Sequence, residues 1–153
     1  MSLETFARFD LRVAYHETDA MAVVHHSNHI KYFESARIDF LRKKNIRWHD
    51  HPDGPLVFAV YSLSAQYLKL ARFDDELQVW SQARLQGARV YFQCAIYAKK
   101  LHSFIALGTT ELIALNNNFR PSRLPKDVAE VFRTLPWDEV WPPPLIESRG
   151  QKE

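Results

Sequence analysis

The chain has 153 residues, of which 46% are hydrophobic and 25% charged, and a formal net charge of +2; this describes one globular domain with enough apolar residues for a sizeable core. The isoelectric point near 8.7 is mildly basic, but Lys and Arg alternate with acids and form no stripe, so the electrostatic footprint of nucleic-acid binding is missing. Cys94 is the single cysteine, which excludes a disulfide framework and a Cys-x-x-Cys metal pair. The opening MSLETFARFD has no basic segment followed by an apolar one, and no apolar run is long enough to cross a bilayer. The expectation is a cytoplasmic protein without a transmembrane segment.

The first element is a strand over residues 8–15, where Phe9, Leu11, Val13 and Tyr15 alternate with Arg8, Asp10, Arg12 and the small Ala14. Further along, Ile30, Phe33, Ala36 or Arg37, Phe40 and Leu41 recur at steps of three and four, the spacing of one helix face. Ser27 or Asn28 can cap that helix, and Arg42, Lys43 and Lys44 suit its C-terminal dipole. A helix over residues 27–44 follows. Residues 56–70, 76–86, 89–98 and 103–115 are rich in Val, Ile, Phe, Tyr and Thr. They read as four strands in a meander, joined at residues 72–75, at Gly87-Ala88 and at residues 99–102.

Short joins make the sheet antiparallel. A strand, one long helix and a run of strands give an α+β fold in which a curved sheet covers the helix. Leu124-Pro125 opens a second, short helix that extends to about Arg133. The domain is expected to span residues 1–135. Residues 136–153, with Trp137, Trp141 and three consecutive prolines, form a tail that lies extended on the surface or frays after Ile146.

Chemistry concentrates in YHETDAMAVVHHSNHIKYFESAR, residues 15–37. Asp19 lies between the first strand and the long helix, where a fold can hold a carboxylate and still present it to a cleft. Two readings stand: a catalytic carboxylate, or a turn aspartate bonded to the backbone two residues on. The first amides of the helix, around His26 to Asn28, have no intrahelical acceptor and can donate to a developing oxyanion. His25 and His29 are spaced like a helical metal pair, but with the cap at Ser27 or Asn28 the first of them precedes the helix, and no third ligand accompanies them. No metal is expected. His49-Asp50-His51 reads as a polar loop beside Pro52 and Gly54. Ser27 suits a cap better than a nucleophile, and Cys94, in a strand core, is a buried thiol. Phosphate-cradling GxGxxG and GxxxxGK loops and a GxSxG elbow are missing from the sequence.

The stretch Y-x-x-T-D-A-M-A-V-V-H-H-S-N-H-x-x-Y-F-E-x-A-R resembles the signature of the 4-hydroxybenzoyl-CoA thioesterase-like family of hotdog-fold acyl-CoA thioesterases. Residues 67–75 and 120–125 resemble later segments of that family, so the resemblance covers residues 7–134. It implies a hotdog fold, homodimers or homotetramers with active sites at the subunit interface, and hydrolysis of an acyl-CoA thioester without a cofactor. Asp19 then takes the catalytic role, as nucleophile or as base for water, and the His26 amide that of oxyanion donor. Val24, His25, Ser27 and His29 would line the substrate, and Arg89 and Arg123, with Arg120 and Lys126 behind them, are candidate CoA contacts. Ala22 stands where relatives commonly have Gly, His29 where they usually have Tyr and Leu70 where they often have Pro; an altered acyl preference is the expected consequence. The alternative is a noncatalytic acyl-CoA or acyl-carrier-protein binding module on the same fold.

Overall fold

The computed structural model describes residues 6–145. In chain order they form β1 (Ala7–Arg12), a single 3-10 turn (Tyr15–Glu17), α1 (His26–Lys43), β2 (Val57–Tyr67), β3 (Glu76–Gln86), β4 (Arg89–Ala98), β5 (Ser103–Leu115) and α2 (Lys126–Thr134). The five strands make one antiparallel sheet in the order β1-β3-β4-β5-β2. The α+β architecture, with one long helix packed on the sheet, is as expected.

Two expectations need correction. The meander is limited to β3, β4 and β5, because β2 pairs with the far side of β5, from Val57 opposite Leu115 to Tyr67 opposite Ala106. Residues 68–75 are therefore not a hairpin turn: they cross the end of the sheet, with the Leu68 and Lys69 amides donating to the Ile105 carbonyl at 2.8 and 3.1 Å. Alternation identifies a half-buried strand but carries no information about its neighbour. Secondly, the first strand ends at Arg12, and the chain turns at Tyr15–Glu17 instead of extending to Tyr15.

The periodic face of α1 is buried as its spacing predicts, through Tyr32, Phe33, Ala36, Arg37, Phe40 and Leu41. Its N-terminal half closes one core cluster with Val13, Val24, Leu77, Val79, Ile96 and Ile105. Its C-terminal half closes a second with Phe92, Leu112, and Val128 and Phe132 of α2. Phe33 reaches the sheet because Gly108, in the middle of β5, has no side chain; a Cβ there would lie within 2.8 Å of three ring carbons of Phe33. The buried Arg37 guanidinium donates to Thr110 Oγ1 at 3.3 Å. Cys94 is a core thiol as expected, pushed up to about 11 by burial.

The tail packs against the sheet. Gln82 exchanges two 2.9 Å hydrogen bonds with the backbone of Asp138, and Arg84 stacks 4.2 Å from the Trp137 ring. Trp141 meets Phe6 edge-on at 5.1 Å. The expected fraying beyond Ile146 lies outside the described residues. In the 49–51 loop, His51 is 6% exposed; its Nδ1 accepts the Asp53 amide at 3.2 Å and its Nε2 meets both Asp127 carboxylate oxygens at 3.1 Å. His51 is thus a strut from this loop to α2.

Candidate active site

Beyond β1, Val13 exchanges backbone hydrogen bonds with Asp74 and Asp75, and the turn at Tyr15–Glu17 then reverses the chain. A two-stranded stitch follows. Thr18 and Val24 form an isolated antiparallel bridge, the Asp19 amide donates to the Val23 carbonyl at 2.9 Å, and the His25 amide donates to the Glu17 carbonyl at 3.0 Å. Asp19 to Val23 is consequently a closed loop, sealed by the Ala22 amide on the Asp19 carbonyl at 2.9 Å. Ala22 occupies φ 61°, a left-handed conformation that side chains other than glycine's disfavour. Glycine would adopt this conformation without that cost.

Asp19 realises the turn reading of its sequence context. Its Oδ1 accepts the Met21 amide at 2.8 Å, the turn bond two residues on, while Oδ2 has no hydrogen-bond partner among the described residues. The side chain is half-buried. Half of the carboxylate thus fixes its orientation and the other half is available for chemistry.

The helix begins one residue before the expected caps. His25 is the N-cap: its Nδ1 accepts the Ser27 amide at 3.2 Å and lies 2.8 Å from the Ser27 hydroxyl. Asn28 does not cap; its side-chain amide donates to the Glu17 carbonyl at 2.8 Å and ties the helix to the turn. His26 is accordingly the first helical residue. Its amide has no acceptor among the described residues, and it stands at the positive end of an 18-residue helix. Val23, whose carbonyl holds the Asp19 amide, is three residues from His26, so the carboxylate-bearing loop and the free amide lie within about 10 Å along the chain. The arrangement sets a carboxylate and an unpartnered helix-start amide on one hydrogen-bonded stitch.

Around this pair, Val24 is buried and its amide donates to the Ala71 carbonyl at 2.8 Å, so its contribution is packing. His25 and Ser27 are occupied with the cap. The Tyr67 hydroxyl, at the end of β2, donates to the His26 carbonyl at 3.1 Å, and its ring stands edge-on to His29 at 5.0 Å. His29 is 4% exposed with neither ring nitrogen hydrogen-bonded, and burial lowers its pKa. The hydroxyl of Tyr32, 5% exposed, is in no well-formed hydrogen bond, but the Glu17 carboxylate lies near enough to act on it, so its pKa is raised by burial and then by Glu17. Glu17 and Tyr32 are not singled out by the sequence pattern, and Asn28 enters it only as a cap or amide donor, since their contacts are made across the turn. No cluster of three or more potential metal ligands occurs among the described residues.

The candidate cations are elsewhere. Arg89 begins β4, a strand length of about 30 Å from Ala98 at its other end, which shares a core cluster with Val13 and Val24. The Arg89 guanidinium pairs with Glu111 and stacks 4.0 Å from the Tyr61 ring. Arg123 and Lys126 line a groove of about 870 Å³ with Leu85, Gly87, Leu124 and Arg133, at that same far end. Arg120 is exposed nearby. One protomer does not bring these cations to Asp19.

The chain is similar to several known proteins over most of its length. The acyl-CoA thioesterase YbgC of Haemophilus influenzae is 29% identical over 130 residues, 83% of this chain and 94% of that protein. The acyl-CoA thioester hydrolase YbgC of Escherichia coli O157:H7 is 26% identical over 134 residues, 84% of this chain and 97% of that one. A solved structure of the DHNA-CoA thioesterase from Staphylococcus aureus superposes with a TM-score of 0.77 at 26% identity, covering 83% of this chain and 88% of that one. The family model of the thioesterase-like superfamily matches residues 13–132, a span that contains the Asp19 loop, α1 and all of β2 to β5, and the chain belongs to that superfamily.

Proposed function

We propose that the protein is an acyl-CoA thioesterase, hydrolysing a thioester to free CoA and a carboxylic acid. The observation that carries this is the pairing of a half-engaged carboxylate, Asp19, with the unpartnered His26 amide at the start of α1. The His26 N–H, helped by the helix dipole, polarises the thioester carbonyl and stabilises the oxyanion; removing such a donor typically costs about 2.7–4 kcal/mol of barrier. Asp19 Oδ2 either attacks the carbonyl carbon, so that the C–S bond breaks, CoA thiolate leaves and water then cleaves the mixed anhydride, or takes a proton from a water that attacks the carbon directly as the C–S bond breaks and CoA thiolate leaves. No metal or organic cofactor takes part. Relatives named as acyl-CoA thioesterases support the substrate class.

The position of the cations fits a site completed by a second copy. β2 is an edge strand with Val60, Tyr61 and Tyr67 exposed. Antiparallel pairing of two β2 strands about a two-fold axis sets the Val57 end of one beside the Tyr67 end of the other. Arg120 and Arg123 adjoin the Val57 end, through the Leu115–Pro121 bridge, and would then approach the partner's thioester site, where a CoA phosphate needs positive charge. Arg89, already committed to Glu111, would contribute less. A homodimer, or a tetramer built from two such dimers, in the cytoplasm, is the working assembly.

Asp19→Asn tests the proposal. Asn keeps the oxygen that accepts the Met21 amide, so the loop persists, but the carboxylate charge is lost. The expected result is a fall in CoA release of at least about a thousandfold with unchanged thermal unfolding. Turnover within tenfold of wild type would sink the hydrolytic role of Asp19. The structural duty of Oδ1 favours one second reading, a binding module in which Asp19 only shapes the loop; wild-type protein that binds acyl-CoA and cleaves none would establish it.

A further inference from the structure

His29 presents an unsolved polar problem in the molecule. Its ring is 4% exposed, yet neither nitrogen makes a well-formed hydrogen bond, with only the His25 and His26 carbonyls near, and three residues along the same helix the 5% exposed Tyr32 hydroxyl makes none, with only the Glu17 carboxylate near. Leaving such groups dry and unpaired costs on the order of 1–3 kcal/mol each. Buried polar groups in folded proteins are nearly always satisfied, so a persistent exception calls for something that arrives from outside the chain.

The location says what arrives. Tyr67 bridges the two parts of the site: its hydroxyl holds the His26 carbonyl, and its ring meets the His26 ring at 6.2 Å and the His29 ring at 5.0 Å. His29 is three residues, or nearly one helical turn of about 5.4 Å, past the amide that polarises the thioester carbonyl. An acyl group whose carbonyl sits on the His26 N–H therefore has its first few carbons within reach of His29. Both side chains there are uncharged, since burial keeps the imidazole neutral. Glu17, close enough to Tyr32 to raise its pKa, repels an acyl carboxylate. A neutral imidazole offers one donor and one acceptor, and a phenol offers both. Their complement is a small neutral group that also donates and accepts.

Resting on the thioesterase reading above, we propose that His29 and Tyr32 select the acyl group, taking the hydroxyl of a hydroxyacyl thioester substituted within a few bonds of the carbonyl. An unsubstituted acyl chain offers these groups no partner; a hydroxyl can both donate to and accept from them. Sites that hydrogen-bond a substrate hydroxyl reject analogues lacking it far more strongly than apolar pockets reject an extra methylene.

The test compares kcat/KM for 2- and 3-hydroxybutyryl-CoA with that for butyryl-CoA, in wild type, His29→Phe, His29→Gln and Tyr32→Phe. Wild type is expected to prefer at least one hydroxyacyl thioester by on the order of ten- to a hundredfold. His29→Phe fills the site without nitrogens and should bring that ratio close to one; Tyr32→Phe should reduce it. His29→Gln retains a donor and an acceptor and should restore much of it, and this variant carries the test if the Phe variant does not fold. A merely structural His29 would lower both rates together and leave the ratio unmoved. A wild-type ratio near one on measurable turnover, or an unchanged ratio in a folded His29→Phe protein, overturns the selector role and leaves the thioesterase reading intact. A folded wild type that releases no CoA from any of the three overturns that reading, and the selector role with it.

Discussion

Gly108→Ala is the sharpest test of how the helix is seated. The added Cβ would lie within 2.8 Å of three ring carbons of Phe33, where carbon atoms in contact prefer about 3.5–4.0 Å. The overlap is about 1 Å with three atoms at once. Phe33 is 0% exposed and packed in the first core cluster, so its ring has no free volume to enter; either it leaves its rotamer or α1 lifts from the sheet. Overpacking of this kind costs typically 1–3 kcal/mol, and three simultaneous overlaps argue for the upper end. Replacing a strand glycine returns about 0.5–1 kcal/mol, leaving a net loss near 2 kcal/mol. At this chain length that is a fall in Tm of roughly 4–8 °C, measured at fixed protein concentration alongside urea unfolding. Phe33→Leu removes the offending ring edge, so the double variant should be more stable than the sum of the single losses by about 1 kcal/mol or more. Because α1 also aims the His26 amide, Gly108→Ala should lower kcat/KM as well. A Gly108→Ala protein within about 0.5 kcal/mol of wild type, or strict additivity with Phe33→Leu, would refute the packing account.

Two further outcomes are expected. Ala22→Gly relieves a left-handed backbone that costs a non-glycine residue about 1–2 kcal/mol, partly offset by the 0.5–1 kcal/mol entropy of glycine; Tm should rise by a degree or more, and a fall would show that the φ of 61° is not strained. His29 gives a pH signature. Burial lowers its pKa below the ordinary 6.5, so on acidification the unfolded chain takes up a proton before the folded one does. The His29 contribution to stability is thus complete above about pH 6.5 and is lost as pH falls from there towards the folded-state value. Tyr67, Tyr32 and His26 face the ring and bring no acid to reverse the sign. Urea unfolding at pH 7.5 and 5.5 should show a smaller loss in His29→Phe than in wild type, and identical losses would contradict the assignment.

Periodicity made the elements legible and left their partners unread. The face of α1 and strands β3 to β5 follow from apolar spacing alone, with β3, β4 and β5 ending where the pattern ends. β2 carries the same composition, but its exposed residues mark an edge strand that belongs beside β5 and not β3; a local pattern has no term for a crossing made by residues 68–75. The helix start shows the same limit at finer scale. Ser27 and Asn28 are favoured cap residues in general, yet the imidazole of His25 takes the Ser27 amide while Asn28 is drawn to Glu17, eleven positions back. That long-range bond is absent from any window of sequence. Its consequence is chemical, because moving the cap to His25 makes His26 the residue whose amide lacks an acceptor.

Asp19 realises the turn reading through a bond that leaves the proposed catalytic one its second oxygen. An aspartate in a tight loop bonds the backbone two residues on, and Asp19 does so through Oδ1; that bond does not consume the second oxygen. Orientation by one oxygen and reactivity by the other are complementary, since a freely rotating carboxylate would have to be ordered at the moment of reaction. The cations obey the opposite logic. Arg89 has its charge neutralised by Glu111 and its face covered by Tyr61, so a residue type suited to phosphate is spent on holding β4, β5 and β2 together. Arg120 and Arg123, exposed at the start-of-β2 end of the sheet, keep their charge available. If β2 edges pair as proposed, Arg123→Ala should weaken CoA-thioester affinity without touching the carbonyl chemistry, raising KM several-fold with kcat nearly unchanged, whereas Arg89→Ala should register first as lost stability. The reverse pattern would place the CoA phosphates on the Arg89 face and overturn the paired-edge geometry.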